Sequence, residues 1–313
     1  MKSYKTLIFI CIIVVILMMM AESNVVHSVL GLKNMKVPVY DLDGYYYNDT
    51  IDLRRRTKPK IFIHLPHADD KNLSIVYLNI KSVIECCGHK YDVIIFDNDN
   101  VEELFDTYNL HDDLTKVNYR TLDPYQLAIW EKYCKSQLLY KFGGVMMEPF
   151  FYFTTCPESS ILRSRSMKIL KYTNEGLYNS NNEQIALPHN FIVSPRKNKD
   201  IEIYMDYLYL QFNEHNKFQT EHFEKSIEHF NKLSVIDPRK FGISDANGEP
   251  IYYESLFSTE NNISFSPSMC ALYVNLEMIK KERRFGWFLK QSPEEIPESN
   301  YLLGKFIKHH QGK

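Results

Sequence analysis

The sequence predicts an α/β protein whose mostly parallel sheet is flanked by helices. Two observations carry that expectation. From Lys60 onward, short apolar runs rich in β-branched and aromatic residues alternate with longer segments of helical period. Strands separated by helices pair in parallel, because each crossover returns the chain to the same end of the sheet. The chain has 313 residues, enough for one large domain of this kind with extras and too few for two ordinary domains with long linkers.

Each element has its own signal. "KIFIHL", Lys60 to Leu65, is bounded by prolines and reads as a buried strand. Asn72 to Cys87 reads as an amphipathic helix, with Ile75, Leu78, Val83 and Ile84 on its apolar face and Gly88 as its stop. "YDVIIF", Tyr91 to Phe96, is a second strand, and "NVEELFDTY" a short helix. The next helix is the best marked. Asp123 caps it, Pro124 suits its first turn, and Gln126 sits three residues after the cap. Leu127, Trp130, Cys134 and Leu138 recur on one face, Phe142 ends the helix, and Gly143–Gly144 breaks it.

Val145 to Met147 then reads as a short central strand. Ligands of open α/β sheets bind beyond the carboxyl ends of strands, and Glu148 takes that place. "NFIVSP", Asn190 to Pro195, is a later strand. Lys199 to His215 and Glu221 to Leu233 are helices. Beyond Asp237 the signals weaken, and "PIYYESLF" and "CALYVNL" are expected as short strands on the sheet edge.

The amino terminus carries a targeting signal. Lys2 and Lys5 precede "LIFICIIVVILMMMA", Leu7 to Ala21, which holds no charge. A bilayer span takes about 17–25 apolar residues. Residues 1–22 are therefore expected as a short signal anchor, or as a signal peptide cleaved near Ala21-Glu22-Ser23. Either delivers the rest to the secretory lumen. The protein is then a single-pass type II membrane protein with its domain in the Golgi or endoplasmic reticulum, a secreted protein, or, for a viral source, one of the host Golgi or virion membrane. Sequons at Asn48, Asn72 and Asn262 fit a lumen. Of six cysteines, Cys11 lies in the apolar run. Cys86, Cys87, Cys134, Cys156 and Cys270 remain, and spacing does not pair them. Residues 23–58 read as a stem, and 59–313 as the folded domain. The basic "LRRRTKPK" falls at the stem's end, and Arg54, Arg55 and Arg56 in it are expected as a solvated basic patch, with a protease site as the alternative. A formal charge of −2 makes no electrostatic case for nucleic acid as a partner.

These pieces together resemble glycosyltransferase family 32 and its relatives with a "DXD sugar-binding" region. "PKIFIHLP" resembles the family's opening strand, "YDVIIFDNDNVEEL" its second strand and acidic turn, and "HNFIVSP" the later strand on the acceptor side. "EKYCKSQLLYKFGGVMMEPF" is similar to the central signature S-D-x-x-R-Y-x-x-L-Y-x-x-G-G-x-Y-x-D-x-D. Leu139, Tyr140, Gly143 and Gly144 fall in register with it. Glu131 and Lys132 take the Ser-Asp pair, Lys135 and Ser136 the Arg-Tyr pair, and Met146 the later Tyr. Glu148 takes the first Asp and Phe150 the second, so the motif is degenerate.

The resemblance implies a GT-A type, Rossmann-like fold. It also implies retaining transfer of a hexosyl or N-acetylhexosaminyl group from a nucleotide-sugar donor to a glycan acceptor. In such enzymes Mg²⁺ or Mn²⁺ bridges the leaving diphosphate, and the paired acids hold the ion. Here Glu148 is the expected catalytic residue and metal or ribose contact. Gly143 and Gly144 let the backbone approach the donor, and Asp97 and Asp99 are further cofactor-binding candidates. A C-terminal histidine often completes such a metal site, which points to His309 or His310. The bland alternative is a solvated polar tail. Asp97 and Asp99 have a bland alternative too, as caps of the helix that follows. A third possibility replaces the ion by a cation, Lys132, Lys135 or Arg120. Lys132 and Lys135 are expected on the exposed side of their helix. The rival class is an inactive descendant of the fold that binds a glycan or a protein.

Overall fold

The computed structural model describes residues 42–47, 51–54, 58–65, 68–170, 177–178, 184–185, 191–213, 234–260 and 263–311. The expected membrane segment, most of the stem, two of the three sequons and the helix expected over 221–233 lie outside them. Among the described residues no helix is long and apolar enough to cross a membrane.

In chain order the elements are β1 (Lys60–Leu65), α1 (Ser74–Cys87), β2 (Asp92–Asp97), α2 (Asn100–Tyr108), α3 (Pro124–Phe142), β3 (Gly144–Met147), β4 (Phe151–Phe153), α4 (Ser159–Leu162) and β5 (Lys168–Leu170). There follow β6 (Leu177–Tyr178), β7 (Gln184–Ile185), β8 (Phe191–Ser194), α5 (Lys199–Asn213), β9 (Ser234–Ile236), β10 (Ala271–Tyr273), α6 (Leu276–Lys281), α7 (Glu295–Glu298) and α8 (Leu302–His310). Six strands form the main sheet in the order β2-β1-β3-β8-β5-β9. β2, β1 and β3 run parallel, β8 runs against both β3 and β5, and β9 is parallel to β5. Five strands thus share one direction.

Side chains alternate across each strand and feed two cores. Ile61, Ile63, Val93, Ile95, Val145 and Met147 face α1, β4, β10 and the C-terminal helices. Phe62, Ile94, Phe96 and Met146 face α2, α3 and α5. The cap expected for α3 is present: Asp123 Oδ1 accepts from the backbone N–H groups of Tyr125 at 2.8 Å and Gln126 at 3.0 Å.

Three expectations change. "PIYYESLF" holds a 3₁₀ turn, Tyr253–Phe257, and no strand. The "CALYVNL" strand, β10, pairs antiparallel with β4 in a separate two-stranded sheet, and β9 forms the edge instead. Part of the expected stem belongs to the domain. Leu42, Tyr47 and Leu53 are buried, and the N–H of Tyr47 donates to Ile95 O at 2.7 Å, beside β2. Tyr108 Oη accepts from Leu53 N at 2.6 Å and donates to Ile51 O at 2.9 Å. This segment covers the outer edge of β2, where backbone groups would otherwise stand unpaired.

The Gly143–Gly144 break is a packing device at the amino end of β3. Gly143 has φ +67, and a Cβ there would lie 2.6 Å from the backbone nitrogen of Arg196. Gly144 has φ +114, and a Cβ would lie 2.3 Å from the carbonyl oxygen of Lys60. Gly144→Ala should therefore destabilise the protein by about 2–4 kcal/mol, adding a steric clash with backbone to a strained φ. Gly248, φ +91 with open space around it, serves as the control. Gly248→Ala should cost only about 1 kcal/mol. Urea unfolding of both variants checks the difference.

Candidate functional site

β1 lies between β2 and β3, so the strand order reverses there, and the carboxyl ends of these strands are where such a sheet binds ligands. Polar side chains gather at that edge. His64 comes from the end of β1 and Asn98 from the turn after β2. Glu131, Lys132 and Lys135 come from α3, and Glu148 from just past β3.

The centre is a buried ion pair. Lys135 Nζ donates to Glu148 Oε1 at 2.8 Å, with the two residues only 4 % and 6 % exposed. The second oxygen of Glu148, Oε2, is buried with no hydrogen-bond partner among the described residues. Beside the pair stands the half-buried Lys132. Burial pushes its pKa down to about 8, helped by Lys135 and opposed by Glu148, Glu131 and Glu277. Next to it runs a short relay. His64 Nε2 donates to Asn98 Oδ1 at 2.9 Å, and Asn98 Nδ2 donates to Glu131 Oε1 at 2.7 Å. An amide oxygen only accepts, so His64 carries a proton on Nε2.

Lys132 and Lys135 correct the expectation of an exposed helix face. From Tyr133 to Ser136 every residue of α3 is buried, because one side covers the sheet and the other meets α5. A lysine at position 135 has no route to solvent and takes the nearest acid. The two aspartates of the acidic turn serve the backbone and the surface. Asp97 Oδ1 accepts from the N–H groups of Asp99 at 3.0 Å and Asn100 at 2.9 Å, in a turn that leads into α2. Asp99 is exposed and pairs with Arg120 at 2.6 Å and with the Tyr119 hydroxyl. The residue between them, Asn98, is the one that turns inward.

The other expected contributors lie elsewhere. Gly143 and Gly144 stand at the opposite end of β3 from Glu148. His309 and His310 form the last turn of α8 rather than a loose tail, and the His310 ring packs on Phe306 at 4.7 Å. Phe150 is 2 % exposed and packs edge-on to Tyr273, so the position of the second acid belongs to the core. Among the described residues no three His, Cys, Asp or Glu side chains converge to hold a metal ion. The residues present do not fit the divalent ion that the family resemblance implies. One acid is spent on an ammonium, and the other is replaced by a ring facing away.

No family model matches the sequence, and no curated protein matches it. Among solved structures the chain is similar to one titled PaToxG glycosyltransferase. The identity is 11 % and the TM-score 0.35, over 55 % of this chain and 69 % of that one.

Two expectations follow from the geometry. Lys135→Met strands a buried carboxylate and should cost about 3–5 kcal/mol, whereas the double variant Lys135→Met/Glu148→Leu should recover most of that loss. Chemical denaturation of the two variants measures it. Lys132 holds its proton up to about 10.5 in the unfolded chain and releases it near 8 in the folded one. The unfolded state binds more protons across that window, so stability rises with pH through it. Lys132→Met should flatten that rise in thermal melts taken between those two pH values.

Proposed function

We propose that this is a glycosyltransferase-like protein that binds a nucleotide sugar at the carboxyl ends of β1 and β3 without a divalent ion. The observation that carries the reading is the Lys135–Glu148 pair with its unpartnered, buried Oε2. A buried acceptor without a donor costs about 1–3 kcal/mol and calls for a ligand group to satisfy it. A ribose or sugar hydroxyl has the right chemistry, since it can donate to a carboxylate.

The charge balance supports the same reading. In a metal-dependent site two aspartates and a divalent ion sum to zero before the donor binds. Glu148 and Lys135 also sum to zero, with no ion required. Lys132, with its pKa lowered to about 8, still carries its proton at neutral pH and adds a cation there, and an arriving diphosphate favours that charged form further. During transfer the leaving diphosphate gains charge, and a fixed ammonium stabilises it by the same electrostatic principle as a metal. The acceptor on this reading is a glycan. The apolar run at residues 7–21 would bring the domain to the lumen where glycans are displayed.

A second reading, a non-catalytic member of the fold, is favoured by Phe150, which removes an acid that sugar transfer commonly uses. One experiment separates the two. The purified protein is screened by thermal shift and calorimetry against a panel of nucleotide sugars, with Mn²⁺ and with EDTA. The proposal expects a shift from at least one donor that EDTA leaves unchanged, and a loss of roughly tenfold or more in affinity for Lys132→Met. Binding that appears only with Mn²⁺ overturns the metal-free site. No binding under either condition gives the second reading its support.

A further inference from the structure

A cleft of about 810 Å³ opens at the amino-end edge of the main sheet. Among the described residues its lining includes Arg54, Lys58, Lys60, Lys141, Arg163 and Arg196, and no Asp or Glu. These cations come from widely separated parts of the chain. Three lie at and before the start of β1, one at the end of α3, one after α4 and one after β8. The fold, not a local charge run, assembles them. The Gly143–Gly144 contacts contribute, because they bring the end of α3 against the backbone of Arg196 and of Lys60.

Among the described residues little neutralises this group. Lys60 pairs with Asp92 at 3.4 Å. Lys58 Nζ donates to the carbonyl oxygen of Gly88 at 3.1 Å. The guanidinium groups of Arg54 and Arg163 rest on the rings of Tyr108, at 5.4 Å, and Tyr91, at 5.7 Å. Among the described residues Arg54, Lys58, Lys141, Arg163 and Arg196 pair with no carboxylate. Like charges around a concavity with low-dielectric walls repel one another and focus a positive potential into it. Guanidinium forks suit the paired oxygens of phosphate and sulfate, and ammonium groups act there as point charges.

We propose that this cleft is a second binding site, for a small ligand bearing two or more clustered phosphate or sulfate groups. Its volume lies within the range of small-molecule pockets, roughly 300–1,000 Å³, and exceeds the needs of a single oxyanion. It is separate from the Glu148 site. The two sit at opposite ends of β3, which is four residues long and so spans about 13 Å. The ligand chemistry has two sources, a soluble polyanion or the headgroup of a phosphorylated lipid.

Calorimetry of the full chain tests the site with inositol hexakisphosphate and inorganic tripolyphosphate. Co-sedimentation uses phosphatidylcholine vesicles with and without phosphatidylinositol bisphosphate. Binding of at least one probe is expected, weakening steeply as salt is raised. Lys141→Glu/Arg196→Glu should keep the unliganded melting temperature and bind roughly tenfold or more weakly. Arg163→Gln, on an exposed residue, gives an independent loss should the double variant be unstable. Binding to soluble probes alone assigns a free polyanion. Binding to the bisphosphate vesicles, competed by the soluble probes, assigns a headgroup. The proposal is overturned if no probe binds, or if folded charge variants bind as tightly as the unaltered protein.

Discussion

The Lys135–Glu148 pair governs what the carboxyl end of β3 can do. Breaking a buried pair is costly, whereas replacing it whole by apolar residues is often neutral, so its presence is weak evidence of a stabilising role. Its effect is better described as commitment. It ties α3 to the end of β3 and commits one oxygen of Glu148 to an ammonium. It leaves the other oxygen buried and free to accept. A functional account has to use that second oxygen or explain its cost.

Phe150 extends the same logic one step along the chain. After Pro149 the backbone enters β4, and Phe150 O accepts from Val274 N at 2.6 Å, joining the segment that follows β10. Its ring faces Tyr273 in the core. An acid at this position would have to be buried among aromatic rings or turn the strand. The lysine at 135 and the phenylalanine at 150 are therefore mutually consistent. One pairs with the acid that follows β3, and the other fills the core beside Tyr273.

Much of the fold was legible in the sequence because it rests on local chemistry. The Asp123 cap, the helix that follows it, the β1 and β2 runs and the glycine break all appear where propensity and period place them. The antiparallel sense of β8 has no local signature, since register and direction are set by neighbours. The site was less legible for the same reason. Glu148 follows from its place after a strand, but its partner depends on α3 being buried on two sides, and no periodicity within α3 reports that. Asn98 was overshadowed by its acidic neighbours, yet Asp97 has the oxygen that the turn into α2 uses, and that turn leaves the middle residue to face inward. Gly143 and Gly144 carried a signal that was correct about conformation. Their close neighbours are Lys60 and Arg196 of the same chain.

Net charge illustrates the limit of composition as a guide to partners. A total of −2 is a sum, and potential depends on placement. At the carboxyl end of β3 opposite charges are interleaved, with Lys135 on Glu148 and Lys132 among Glu131, Glu148 and Glu277, so the local sum is close to zero or negative. At the amino end, among the described residues, six cations share one cleft with a single paired carboxylate beside it. The two ends of one four-residue strand therefore present opposite electrostatic problems to a ligand. The first offers a carboxylate acceptor and an ammonium side by side, and the second favours a partner that brings concentrated negative charge. The described cations at and before the start of β1 belong to the second by position. Arg54, Lys58 and Lys60 line the cleft, and the cations that join them enter from α3, the segment after α4 and the end of β8.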